Sequence, residues 1–348
     1  MAPTQPIYRS PFFRHGLKLL LGVLLLGLLF WRFPMGDVLD TVASANVFLC
    51  VLGYGCVIVF NVLQGVQLYY AIARFAPQTG LMQMVRLQFI SGFYAVILPS
   101  QLTTSVVKWH RMSRGKRLRA QSAAVVIYIR VLNGVAIMAW AIPGILFDKQ
   151  INLPLVQWTA GLLAATVLLG ATPIFVPQLA QPLARMLSAP LRVLPLPKGI
   201  RQKLAKVWNS LLLLNDMERW RVGLLLFIAF FFQLFVVLHY YWLCLAVGVH
   251  LPIVSICWLH LLIFLITALP ISVAGIGIRE ATMVGILPVL YGVSRNDALA
   301  VSLLFAARYL VPLIVGGGSE LYEWIRGARV ESEGEMLRPE PPPHSGGA

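Results

Sequence analysis

Apolar residues in this chain come in long blocks separated by short polar gaps. Blocks at 16–33, 46–73, 120–147, 154–177, 221–248 and 298–325 have the length of a bilayer-crossing helix, which needs about 20 mainly apolar residues. They predict about six spanning helices in an all-α integral membrane protein. Two further apolar runs, 87–107 and 252–293, are each broken by a proline, at Leu98-Pro99-Ser100 and at Leu269-Pro270. Proline removes a backbone donor and disfavours helix at the residue before it. A polar stripe, Asn61, Gln64 and Gln67 at three-residue steps, marks one face of the second helix as a helix contact.

Composition supports the membrane assignment. Of 348 residues, 59% are hydrophobic and 12% charged, against about 25% charged in ordinary soluble proteins. The 28 Lys and Arg outnumber the 13 Asp and Glu, but the bases fall in the gaps between apolar blocks. That placement follows the positive-inside rule and speaks against a nucleic-acid partner. Arg9, Arg14 and Lys18 before a leucine run, with VASA at 42–45, have the outline of a secretory signal; Arg32, Asp37 and Asp40 in the gap favour an uncleaved first helix instead. Cys50, Cys56, Cys244 and Cys257 have no metal-site spacing and read as packing residues.

Placing the basic gaps in the cytoplasm divides the chain into an N-terminal cytoplasmic tail (1–15), a membrane domain (16–326) and a disordered cytoplasmic tail (327–348). Residues 178–220 form a cytoplasmic linker in which 199–215 has the pattern of an interfacial helix. Residues 87–107 then have basic segments on both flanks, and 252–293 begin and end outside. Each run must enter the membrane and return on the same side. The expected architecture is two re-entrant helical hairpins, entering from opposite faces as an inverted-topology repeat whose tips meet near the midplane. A base follows each tip proline by nine residues, Lys108 after Pro99 and Arg279 after Pro270.

Other residues have two readings at this stage. Arg130 and Arg308 lie about ten residues inside their helices, where an arginine costs roughly 2.5–3.5 kcal/mol on insertion scales. Glu280 and Glu320 are the obvious ion-pair partners, and a lipid phosphate held bidentately is the alternative. Lys108 and Arg279 read either as site cations or as snorkelling anchors. Ser100, Thr103, Thr104 and Ser272 face a head group or satisfy the broken backbone. Gly275 and Gly277 permit close backbone approach at the second tip. His239, His250 and His260 have no nearby carboxylate in sequence and read as packing or hydrogen-bonding residues. There is no phosphate-binding G-x-x-x-x-G-K-[ST] loop and no D-x-D or H-E-x-x-H cluster, so neither a catalytic set nor a metal or cofactor is expected.

The late motif LPISVAGIGIRE at 269–280, followed by ALAVSLLFAARYL at 298–310, resembles the flippase-like family that includes the transmembrane region of lysylphosphatidylglycerol synthases and free-standing relatives. The early motif LPSQLTTSVVK at 98–108 keeps the proline and the basic end. It carries Thr103 and Thr104 where the family has glycines, Ser105 for its acid and Lys108 for its arginine. YIRVLNG keeps Arg130 and has Ile129 at the acid of an Asp-Arg pair. The resemblance covers roughly 16–326. It implies a lipid transporter of the cell membrane, without the synthase activity of larger relatives, moving an anionic or isoprenoid-phosphate-linked lipid between leaflets. Pro99, Ser100, Thr103, Thr104, Lys108, Arg130, Pro270, Ser272, Gly275, Gly277, Arg279, Glu280 and Arg308 are the expected substrate-binding residues, with Glu280 a candidate proton carrier. A different class of function is a non-catalytic membrane partner of a lipid-modifying enzyme or glycosyltransferase, docked through the basic linker.

Overall fold

The computed structural model describes residues 35–97, 103–113, 118–150, 158, 218–268 and 277–336. These residues form α1 (Met35–Ala43), α2 (Val47–Ile72), α3 (Leu81–Ile97), α4 (Thr103–Ser113), α5 (Arg119–Phe147), α6 (Arg219–Ala246), α7 (Ile253–Ala268), α8 (Ile278–Tyr291), α9 (Arg295–Ala307) and α10 (Leu310–Met336). Among the described residues four helical stretches are long and apolar enough to cross a membrane: α2, α5, α6 and the α9–α10 stretch Arg295–Glu323. They correspond to four of the six blocks expected from sequence. The other two, 16–33 and 154–177, lie outside the described residues apart from Trp158, as does the interfacial helix expected at 199–215.

The spanning pair α2 and α6 forms the centre, and the remaining helices pack around it. Asn46 starts α2 by accepting the Leu49 N–H on its side chain (3.2 Å), the usual N-cap bond. Its own N–H donates to the Ala246 carbonyl (2.8 Å), which ties the start of α2 to the finish of α6. The polar stripe of α2 is used as helix contact: Gln88 of α3 donates to Asn61 (3.1 Å) and to Gln64, and Gln67 donates to the Leu225 carbonyl of α6 (3.2 Å). Helix α3 lies close against two neighbours. A Cβ on Gly65 would stand 2.6 Å from Val85 Cα, and one on Gly316 of α10 would stand 2.3 Å from the Phe89 carbonyl. Small residues at such seams let helix backbones approach in a membrane.

The helices that flank the two proline breaks are short. At 1.5 Å rise per residue, α3 and α7, with 17 and 16 residues, reach only about 25 Å, less than the roughly 30 Å of a hydrocarbon core. The first turns of α3 (Gln83, Met84) and the last turn of α4 (Arg111, Met112) border one cavity, with Met84, Leu87 and Met112 in a common core cluster. Similarly, Trp258 near the start of α7 hydrogen-bonds the Tyr291 hydroxyl at the end of α8 (3.2 Å). The far ends of each short pair therefore lie together. The α3–α4 ends share their core with Ile72, the last residue of α2, and Ala76 just past it, whereas the α7–α8 ends share theirs with Ala45 and Ala246 at the opposite end.

Two expectations change. The run 298–325 is two helices, interrupted at Arg308-Tyr309. Pro312 has no N–H to give the Arg308 carbonyl four residues earlier. The turn tightens instead, with Tyr309 N–H on Ala306 O (3.1 Å) and Val311 N–H on Arg308 O (3.4 Å). Helix α10 also continues to Met336, past residue 327 where the tail was expected to begin. Glu331, Glu333 and Glu335 are good helix formers, and Pro339 and Pro341 lie just beyond the helix end.

Candidate functional site

Between α2, α4, α5, α6 and α7 lies a cavity of about 260 Å³. Thr104, Ser105 and Lys108 enter it from one face of α4, at the i, i+1, i+4 positions that a helix turns to the same side. Arg130 and Asn133 enter from adjacent turns of α5, Gln64 from α2, Gln233 from α6 and His260 from α7. The apolar lining includes Phe232 and Phe264. Three residues singled out from sequence, Thr104, Lys108 and Arg130, thus share one wall. Thr103 is buried at the first turn of α4.

The polar groups of α6 and α7 are held in place before any ligand is considered. Gln233 Nε2 donates to the Asn133 carbonyl (3.5 Å) and its Oε1 faces His260 Nε2 (3.0 Å). The His260 ring lies 5.5 Å from the ring of Tyr240, whose hydroxyl accepts from Arg308 (3.3 Å). Arg308 also donates to the Tyr309 hydroxyl (3.2 Å) and stands 5.0 Å from that ring, a cation–π distance. His239 shares its Nδ1 with the Gly53 carbonyl (3.0 Å).

Gly277, Arg279 and Glu280 form a separate group at the start of α8. Gly277 has φ 84°, a left-handed conformation that favours glycine, and its N–H donates to Glu280 Oε2 (2.6 Å). Glu280 is also paired with Arg279, both side chains being almost wholly buried. The sequence expectation that Glu280 or Glu320 compensates Arg130 or Arg308 is therefore corrected: Glu280 is taken by its neighbour Arg279, and Glu320 by Arg111. Nor is Arg279 a snorkelling anchor. It points inward because a carboxylate one residue away, itself fixed by the Gly277 N–H, lowers the cost of burying the guanidinium. Pro99, Ser100, Pro270, Ser272 and Gly275 lie outside the described residues.

Asn133, Gln233 and His260 belong to the cavity but not to the set expected from sequence. The signal that marks them is a polar side chain in an otherwise apolar membrane helix, FFFQLF around Gln233 and WLHLL around His260, where polar groups carry a cost that a site or a partner must offset.

Both ends of the bundle have their own polar cluster. Toward the end rich in Arg74, Arg86 and Arg119, Arg111 of α4 pairs with Glu320 and with Glu323 (2.7 Å) of α10, and Tyr94 donates to Glu320 (3.0 Å). Arg111 and Glu323 border a second cavity of about 300 Å³. At the opposite end Asp148, just past α5, accepts from Trp258 (2.8 Å), Tyr291 (2.6 Å) and the Gln150 N–H (2.9 Å). Burial pushes the Asp148 carboxyl up, but the bonds from Tyr291, Gln150 and Trp258 outweigh it and hold the group below the ordinary aspartate value.

A bundle of apolar helices around a polar, positively lined cavity defines a multi-pass helical membrane protein. Its sequence matches the family model of the lysylphosphatidylglycerol synthase transmembrane region over residues 16–317, and the chain belongs to that family, whose membrane role is lipid-related. No curated protein and no solved structure matches it.

Proposed function

We propose that the protein is a lipid transporter of the cell membrane that carries an anionic head group, including isoprenoid-phosphate-linked ones, between leaflets. The observation that carries this reading is the shared cavity of Lys108 and Arg130, two cations at membrane depth with no carboxylate among the described lining residues. A guanidinium and an ammonium in a low-dielectric setting are a strong attractant for a phosphate. The acyl or isoprenoid tails stay in the bilayer while the head group enters between the helices. No covalent bond is made or broken in this reading.

The short pairs α3–α4 and α7–α8 are read as two hairpins that dip into the membrane from opposite faces, their Leu-Pro tips meeting at mid-depth as an inverted repeat. Both termini and the basic end are assigned to the cytoplasm. The cytoplasmic bridge from Arg111 to Glu320 and Glu323 and the outer cluster of Asp148, Trp258 and Tyr291 then act as two latches, opened alternately as one repeat moves against the other. Glu280 is engaged by Arg279 and the Gly277 N–H and is not among the described residues that line the cavity.

Purified protein in vesicles containing a short-chain fluorescent phosphatidylglycerol tests this reading. Translocation is expected, and Lys108→Ala with Arg130→Ala should lower it at least about tenfold at equal protein content. Equal rates in the double variant and the parent protein would overturn the assignment of the cavity.

A further inference from the structure

The two cavities lie end to end along the same two helices. On α2, Leu68 lines the first cavity, and Ile72, one turn nearer the basic end, lines the second. On α4, Lys108 lines the first, and Met112, again one turn nearer that end, lines the second. Both steps are four residues, so about 6 Å of helix separates the two linings on each side.

What fills that interval is apolar. Leu68, Ile72, Met84, Leu87 and Met112 belong to one buried cluster, which Tyr128 of α5 joins. An apolar constriction between two polar spaces excludes water and charged groups until its side chains move apart. One polar group interrupts it: the Tyr128 hydroxyl is buried and has no hydrogen-bond partner. A hydroxyl left in that state gains a partner when water or a polar solute enters the constriction.

The helices around the interval are held in different ways. Gly65 brings α2 against the backbone of α3, and Gly316 brings α10 against it as well. Gln88 adds hydrogen bonds from α3 to α2. By contrast, α4 is tied to α10 through side chains, Arg111 on Glu320 and Glu323, and Met112 is the next residue. Methionine is unbranched with three rotatable bonds, so it can leave a gap without a change of backbone. The tie that holds α4 and the residue that closes the interval are therefore neighbours.

We infer that the two cavities are successive chambers of one route and that the cluster around Leu68, Ile72 and Met112 is its gate, opened when Arg111 leaves Glu320 and Glu323. The second cavity, with Thr79, Gln83 and Arg111 among its lining residues, is the chamber that a polar solute meets first from the basic end. This rests on the reading of the protein as a lipid transporter, and it gives the second cavity and Met112 roles in that transport.

Single cysteines test it in the full chain with its native cysteines replaced, Gln83→Cys at the second cavity and Thr104→Cys at the first. A membrane-impermeant charged thiol reagent is added to vesicles with the basic face outward. Position 83 should react at least about tenfold faster than position 104, which lies behind the apolar constriction. Met112→Ala should speed labelling at 104 at least about fivefold and leave position 83 within about twofold, a pattern that general unfolding would not give, and Met112→Trp should slow labelling at 104. Equal rates at the two positions with Met112 in place, or a rate at 104 that both substitutions leave unchanged, would overturn the gate. Translocation of the short-chain fluorescent phosphatidylglycerol is measured separately, and Met112→Trp should lower it at least about tenfold. Undiminished translocation in Met112→Trp also overturns the gate. Gated labelling in a protein that moves no lipid would support the gate and contradict the transporter reading, so the two fail separately.

Discussion

In the second half of the molecule the buried cations have protein partners, Arg279 with Glu280 and Arg308 with the hydroxyls of Tyr240 and Tyr309. In the first half, Lys108 and Arg130 border a cavity whose described lining holds no carboxylate. Both halves contain a short helix pair, α3–α4 and α7–α8, and the pairs differ in the charged side chains they carry. Where the late motif carries Arg279-Glu280, the early one carries Lys108-Trp109, with no acid. A buried charge must be compensated. The second half meets that demand with Glu280 and the hydroxyls of Tyr240 and Tyr309.

Removing the internal compensation should have the largest effect. Glu280→Ala strands the Arg279 guanidinium in a buried site and is expected to destabilise the protein by about 3–5 kcal/mol, measured as thermal unfolding in detergent. A loss below about 1 kcal/mol would mean that the two halves are not different in this respect. Asp148→Ala, which leaves the Tyr291 hydroxyl without its acceptor and Trp258 with only the Tyr291 oxygen, should cost about 1–3 kcal/mol. The same group gives a pH test. Its carboxyl is held below the ordinary value, so its contribution is present above about pH 4 and is lost as pH falls through the lowered folded value. The parent protein should therefore lose stability below about pH 4 more steeply than Asp148→Ala, as read from unfolding temperatures between pH 3 and pH 6.

Arg111→Ala is expected to cost at most about 1 kcal/mol, since its pairs with Glu320 and Glu323 are partly exposed. Its effect should show as access instead, with a cysteine at Gln83 beside the second cavity reacting faster with a charged thiol reagent than in the parent background. The smallest stability effect belongs to Lys108→Met, which should change stability by less than about 1 kcal/mol or raise it, because it removes a cation that no carboxylate among the cavity's described lining compensates. A loss like that of Glu280→Ala would erase the contrast between the halves.

The apolar blocks were readable from hydrophobic run lengths, because a membrane helix is specified by length and polarity almost alone. That gave α2, α5 and α6 nearly to the residue, and the co-location of Thr104, Lys108 and Arg130 followed from the helical repeat once α4 and α5 were placed side by side. Pairing of charges was not readable. Arg279 and Glu280 are neighbours in sequence, where ion pairs are not usually sought, whereas Arg111 and Glu320 are 209 residues apart. The break at Arg308 was written in Pro312, but its influence acts on a residue four positions earlier. Gln233 and His260 were visible as polar interruptions, yet their role depends on which neighbours face them, and that is a property of packing.

The most direct measurement uses Thr104→Cys in a background where Cys50, Cys56, Cys244 and Cys257 are replaced by serine or alanine. In vesicles, a membrane-impermeant charged thiol reagent should label this cysteine, and dioctanoyl phosphatidylglycerol should slow the labelling in proportion to its occupancy, with the protection lost in Arg130→Ala. Labelling that is indifferent to the lipid at saturating concentration would contradict a head-group site in the cavity.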